Sequence, residues 1–182
     1  IDNIAKAIAD YERTLAQTNS PYDQYIKGKK SALSAAAVRG MKKAQEVGCN
    51  SCHMGKHFAG PELPIGTGFY QKFPMFPGSQ YDKKYDLLAD SGRHEVTKKA
   101  EDKYFFRVST WRNTAITAPY FHNGKVKSLD EAVRVMAKTQ LNKDLAESDV
   151  QDIVAFLSSM TSQAPKQQMP KLPETSGTVV LE

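Results

Sequence analysis

The segment Cys49-Asn50-Ser51-Cys52-His53 constrains this chain more than any other stretch, because it holds the only two cysteines among 182 residues. With no further cysteine to pair, a disulfide framework is excluded and the lone Cys-x-x-Cys needs another explanation. A thioredoxin-type redox pair follows a strand and opens a helix. Here a helical pattern comes first and a loop rich in Gly and Pro follows. A structural zinc site needs a second pair of ligands at suitable spacing. His57 and His94 are candidates, but there is no second Cys-x-x-Cys. The remaining chemistry is covalent attachment of a c-type haem. Two thiols spaced three apart on a turn face the same way, toward the two vinyl groups on one edge of the macrocycle, and the imidazole of His53 becomes the proximal iron ligand.

The rest of the chain has the organisation such a cofactor needs. Ile1, Ile4, Ile8, Tyr11 and Leu15 recur at three- or four-residue steps and predict an amphipathic helix that Asn19-Ser20-Pro21 ends. Ser34 is placed to cap a helix running to Val47, where Gly48 stops it just before the cysteine motif. From Met54 to about Asp102 no period is sustained, and Gly60-Pro61, Pro64, Gly66, Gly68, Pro74, Pro77-Gly78 and Ser91-Gly92 punctuate an irregular stretch. So long a connection is unusual in a compact domain unless it wraps something. Phe58, Phe69, Tyr70, Phe73 and Phe76 within it call for burial. Order returns over Tyr104 to Asn113, and a turn-like Thr117 to Gly124 follows. Ser128 and Glu131 predict a capping box for a helix carrying Leu129, Val133 and Met136 on one face. Val150, Ile153, Val154, Leu157 and Met160 form the stripe of a last helix. The expected fold is all-α, a cytochrome c-like helical domain over residues 1–163 wrapped around one covalent haem with long irregular loops. Residues 164–182, with Pro165, Pro170 and Pro173, read as an extended tail.

The far side of the iron needs a second axial ligand or stays open. Met54 and His57 lie too close to His53 to cross the ring, Met160 continues an apolar stripe and reads as core, and Met169 falls in the tail. Met75, in Phe73-Pro74-Met75-Phe76-Pro77, and Met136 are both open on pattern alone. A His/Met pair would fill the coordination sphere and raise the potential, giving a site that passes electrons.

Composition narrows the partners. No apolar run approaches the roughly 20 residues that cross a bilayer. The formal charge of +5 is mild, and haem propionates would lower it. It suits steering of an acidic partner protein. No dense Lys/Arg cluster interleaved with aromatics points to nucleic acid. His94, between Arg93 and Glu95, reads as a solvated loop residue, and Lys29-Lys30 and Lys98-Lys99 as surface.

Several segments resemble the bacterial di-haem cytochrome c peroxidases, the family that includes MauG-like proteins. They are Arg107-Val108-Ser109-Thr110-Trp111-Arg112-Asn113, Thr117 to Gly124, Tyr11 to Leu15, Asn19 to Asp23 and Ile153 to Leu157. The likeness spans nearly the whole chain but corresponds to the family's C-terminal half. The resemblance implies that Cys49, Cys52 and His53 hold the electron-accepting, high-potential haem. It also places Met136, fourteen residues after His122, as that haem's methionine in preference to Met75. In the MauG branch a tyrosine takes that role, so Met136 favours the peroxidase branch. Thr117 and Pro119 match positions whose backbone carbonyls help bind calcium, a hard cation that oxygen ligands suit. His122 is compatible with a place near the inter-haem region or with a structural role. The family's N-terminal half, with its peroxidatic haem and acid/base glutamate, has no counterpart in this sequence.

The expected function is therefore electron entry. A small c-type cytochrome or cupredoxin would reduce this haem, and the N-terminal peroxidatic haem domain would reduce hydrogen peroxide to water. This half alone is expected to be non-catalytic. A stand-alone mono-haem c-type electron carrier is the alternative. Haem is attached to thiols outside the bacterial cytoplasm, so the expected location is the periplasm. Ile1 starting inside a helical pattern reads as part of a longer chain, and a homodimer is among the family's expected assemblies.

Overall fold

A computed structural model describes residues 1–15, 18–64, 66–166 and 171. Its contacts divide the chain into two compact units, residues 1–17 with 163–182, and residues 18–162. The first contains helix α1, Asp2–Thr14. Its apolar side forms as the spacing predicts, yet none of its residues is buried, and Ile4 and Ile8 remain 65% and 53% exposed. Of the expected tail, only residues 164–166 and 171 are among those described.

The second unit is helical, with long irregular connections. Helix α1 ends at Thr14, capped by Leu15, before the Asn19-Ser20-Pro21 stop that the sequence predicts, and Ser20-Pro21 starts α2, Pro21–Ile26. The Ser20 hydroxyl accepts from the Asp23 amide while the Asp23 carboxylate accepts from the Ser20 amide, a reciprocal cap. Helix α3 spans Ala35–Val47, with Ser34 accepting from the Ala37 amide and Gly48 ending it at φ +104, a left-handed conformation glycine adopts without strain. Short helices α4, Gln80–Lys84, and α5, His94–Thr97, interrupt the loops. Helices α6, Leu129–Leu141, and α7, Glu147–Ser158, close the unit. Among the described residues the sheet is limited to β1, Tyr70–Lys72, paired antiparallel with β2, Phe105–Arg107, so that Gln71 faces Phe106.

Helix α3 lies against α7, and Gly40 permits the closeness. A Cβ at that position would fall 1.8 Å from the Asp152 carbonyl oxygen. Across the same seam Arg39 clasps Asp152 through Nε and Nη2, both at 2.7 Å. The core divides into two clusters. One gathers Ala44, Phe58, Trp111, Val133 and the α7 face of Val150, Ile153, Phe156 and Leu157, with Met160 at 1% exposure, a core residue as the stripe predicts. The other joins Phe73, Leu87, Val126, Ala132 and Val135. Helix α6 contributes to both, so its face between them looks into the space they share.

Two local expectations fail. Ser128 begins α6 but makes no capping bond with its side chain. Its hydroxyl instead helps hold the Asp130 carboxyl below the usual range, and Glu131 accepts from Tyr85 Oη at 2.6 Å and Lys84 Nζ at 2.8 Å. Those partners lie some 46 positions away in sequence, out of reach of a local motif. Phe76 is 46% exposed while Phe58 and Phe73 are buried. Among the described residues, no helix is long and apolar enough to cross a membrane.

Candidate functional site

Gly48 turns the chain out of α3 into a 3-10 turn, Cys49–Ser51, and this turn carries the motif. Both cysteines are unpaired and half-buried. Burial pushes the Cys49 thiol up to about 11, the opposite of the depression that activates a redox Cys-x-x-Cys. A helix before the motif, where a thioredoxin-type pair has a strand, points the same way.

His53 is held from several directions. Its Nδ1 lies 3.0 Å from the Phe58 carbonyl, which makes Nδ1 the donor and leaves Nε2 with its lone pair. The ring stacks on Trp111 at 4.7 Å between centroids and 24° between planes. Burial lowers its pKa, against the opposing pull of the Phe58 and Ser109 carbonyls, so the imidazole is neutral, the form that binds a metal. The loop supplying Phe58 is tied down. Arg112 Nε donates to the Lys56 carbonyl at 2.9 Å, and Thr110 donates to the His57 carbonyl. Arg112 Nη1 meanwhile contacts both Asp23 oxygens, at 3.0 and 3.1 Å. Burial alone would raise the Asp23 carboxyl, but the Ser20 hydrogen bonds and Arg112 outweigh it and hold it below the usual range.

These groups open on one mostly apolar cavity of about 390 Å³, within the size range of cofactor sites. Cys49, Cys52, His53 and Trp111 line it, together with Phe106 and His122. Helix α6 lines it with Ala132, Val133, Met136 and Ala137, and α7 with Ile153 and Leu157. Both methionines left open by the sequence reach this lining. Met136 is half-buried and packs on the second core cluster, whereas Met75 is 44% exposed. The Met75 and Phe76 amides donate to the Thr139 carbonyl at 3.0 and 2.8 Å, which fastens their loop to α6. Met54 and His57 are exposed, His94 is half-buried, and all three stand outside the lining. His94 lies in α5 with Nδ1 2.8 Å from the Lys99 carbonyl. Met169 lies outside the described residues.

His122 is placed more tightly than its sequence context implies. Its ring stacks on Phe106 at 4.2 Å and 18°. Its Nε2 is buried and has no hydrogen-bond partner among the described residues. A buried polar atom left without a partner is costly, and this one belongs to a residue of the cavity lining. The residues present therefore fit a covalently held haem: two thiols, a tautomer-fixed imidazole, a thioether, apolar walls and one polar atom awaiting a partner. Thr117 and Pro119 are exposed on the turn before Tyr120. Among the described residues, no group of three or more His, Cys, Asp or Glu side chains gathers as a metal site.

Comparison with known proteins fits this geometry. Residues 1–31 match the family model described as di-haem cytochrome c peroxidase. Cytochrome c551 peroxidase of Pseudomonas aeruginosa is 41% identical over 177 residues, covering 97% of this chain and 49% of that protein. The chain belongs to the di-haem cytochrome c peroxidase family. Cytochrome c551 peroxidase of Nitrosomonas europaea is 35% identical, again over 97% of this chain and 49% of the relative. This member of the family thus spans about half the length of the curated relatives it matches. A crystal structure of a MauG-like protein associated with microbial copper homeostasis shares the fold at a TM-score of 0.61, with 21% identity, over 80% of this chain and 52% of that one.

Sequence reading missed the roles of Trp111, Phe58 and Asp23. Phe58 could be flagged only as an aromatic in need of burial. Nothing local marks its carbonyl as the partner of His53, and Asp23 and Arg112 are separated by 89 positions.

Proposed function

We propose that this chain is the electron-transfer domain of a di-haem cytochrome c peroxidase. It would hold one haem c through Cys49 and Cys52, with His53 and Met136 as the ligands offered to its iron. The observation that carries the reading is the convergence of both thiols, the His53 imidazole and the Met136 thioether on one apolar cavity. When bound, the haem supplies a one-electron redox centre whose potential a methionine ligand raises.

The chain's own residues have distinct tasks in this reading. The Phe58 carbonyl holds the proton on Nδ1 and so presents Nε2 as a ligand, and it makes that ligand more basic. Arg112 and Thr110 hold the loop that carries Phe58. Val133, Ala137, Ile153 and Leu157 exclude water from the cavity, which keeps the local dielectric low and favours the less charged, reduced state. Met136 is preferred over Met75 because α6, packed against both core clusters, fixes it more firmly than a half-exposed loop residue is fixed. Reduction of peroxide is assigned to a second haem domain, corresponding to the half of the relatives that this chain does not span. The donor would be a small c-type cytochrome or cupredoxin, the location the periplasm, and the assembly a homodimer. The Thr117 and Pro119 carbonyls would contribute to a calcium site whose other ligands come from elsewhere.

The test uses the haem-loaded chain. It should show a single one-electron transition, exchange electrons with a reduced small cytochrome c, and turn over hydrogen peroxide negligibly. Robust peroxide turnover would mean an open iron position and would overturn the assignment.

A further inference from the structure

Beyond the four residues that hold the haem, the packing behind His53 carries one more assignment, which rests on the haem reading above. We propose that Trp111 is a positioning residue for the proximal ligand, whose indole face fixes the plane of the His53 imidazole. Three restraints act on that ring. The motif turn fixes its Cα, the Phe58 carbonyl at 3.0 Å fixes Nδ1, and the Trp111 face, 4.7 Å away at 24°, fixes its tilt. The first two leave a hinge, since a ring anchored at Cβ and at one hydrogen bond still swings about the line joining them. A flat surface on one side removes that freedom.

Trp111 is itself immobilised. Phe58 stacks on it at 5.2 Å and 16°, and Phe156 meets it edge-on at 5.9 Å and 86°. Tyr22 closes the group with edge contacts to Phe58 at 5.4 Å and Phe156 at 5.9 Å. Phe58 therefore acts twice, with its carbonyl holding the imidazole proton and its ring backing the indole on which the imidazole rests. Its φ of +53 lies in the left-handed region, which a bulky side chain adopts only where surrounding contacts hold it there. At 9% exposure, Trp111 also screens the imidazole from water. The plane of an axial imidazole sets which iron orbital it overlaps, so the assignment has a spectroscopic signature independent of turnover.

The experiment compares W111L and W111F with the unaltered chain, all matured with haem, by low-temperature EPR of the ferric state and by potentiometry. Leucine keeps an apolar side chain but no ring face, while phenylalanine keeps a ring. W111L should lose the single narrow low-spin signal, giving a broadened or split one, and its midpoint potential should shift. W111F should retain both properties of the unaltered chain. If W111L matches the unaltered chain in both, or if W111F is as disturbed as W111L, the ring face does not position His53 and the proposal fails. A colourless unaltered chain would instead defeat the haem assignment itself, so the two failures are distinguishable.

Discussion

Replacing Gly40 by alanine tests whether the cavity depends on the close approach of α3 and α7. The added Cβ would sit 1.8 Å from the Asp152 carbonyl oxygen, 2.3 Å from its carbon and 2.8 Å from the Ile153 amide nitrogen. All three are backbone atoms of α7, so no side chain can swing aside. The helices must part by roughly 1.5 Å to approach the about 3.5 Å of an ordinary non-bonded contact. Overpacking of this kind costs about 1–3 kcal/mol and occasionally more, while exchanging a mid-helix glycine for alanine returns about 1 kcal/mol of helix propensity. Because the clash is with backbone, the upper end applies, and a net loss of about 2 kcal/mol is expected. In a chain of this size that lowers the melting temperature by about 4–8 °C. The change also reaches the site, because α3 leads into the cysteine turn and α7 supplies Ile153 and Leu157 to the cavity wall. Thermal and urea denaturation of the haem-loaded G40A chain would measure the loss. A variant as stable as the unaltered chain would refute the reasoning.

Two other perturbations separate groups that the site brings together. M136A should abolish the sulfur-to-iron charge-transfer band of the ferric protein while M75A keeps it, and the reverse result would move the axial ligand to Met75. D23N should destabilise the chain by about 3 kcal/mol near neutral pH, because Arg112 loses the charge facing it in a largely buried pair. The folded pKa of Asp23 lies below its ordinary 3.8, so its contribution is present above that value and fades as pH falls through the lower folded one. The stability gap between D23N and the unaltered chain, followed by urea denaturation, should therefore narrow in acid. A gap independent of pH would exclude the ion pair as its cause.

What the sequence revealed was local. Ser34 and Gly48 bounded α3 because caps and left-handed stops depend on neighbouring residues, and the α7 stripe buried Met160 as its spacing implied. The cysteine motif marked the candidate site because its chemistry lies within five residues. What it hid was contact between distant segments. Glu131 carried a capping signal yet turned to Lys84 and Tyr85. Phe58 and Trp111 were one aromatic among many and one residue of a family-like segment, until folding stacked them behind His53. Met75 and Met136 stayed level on pattern, and the cavity admits both. Besides the family resemblance, their differing exposure and support distinguish them.

The most direct measurement is the intact mass of this chain after export and maturation in a host that attaches haem to thiols, read together with titration of its thiols. One haem added through two thioether bonds, with neither Cys49 nor Cys52 reactive, is the predicted result. An unmodified mass with two titratable thiols would contradict it.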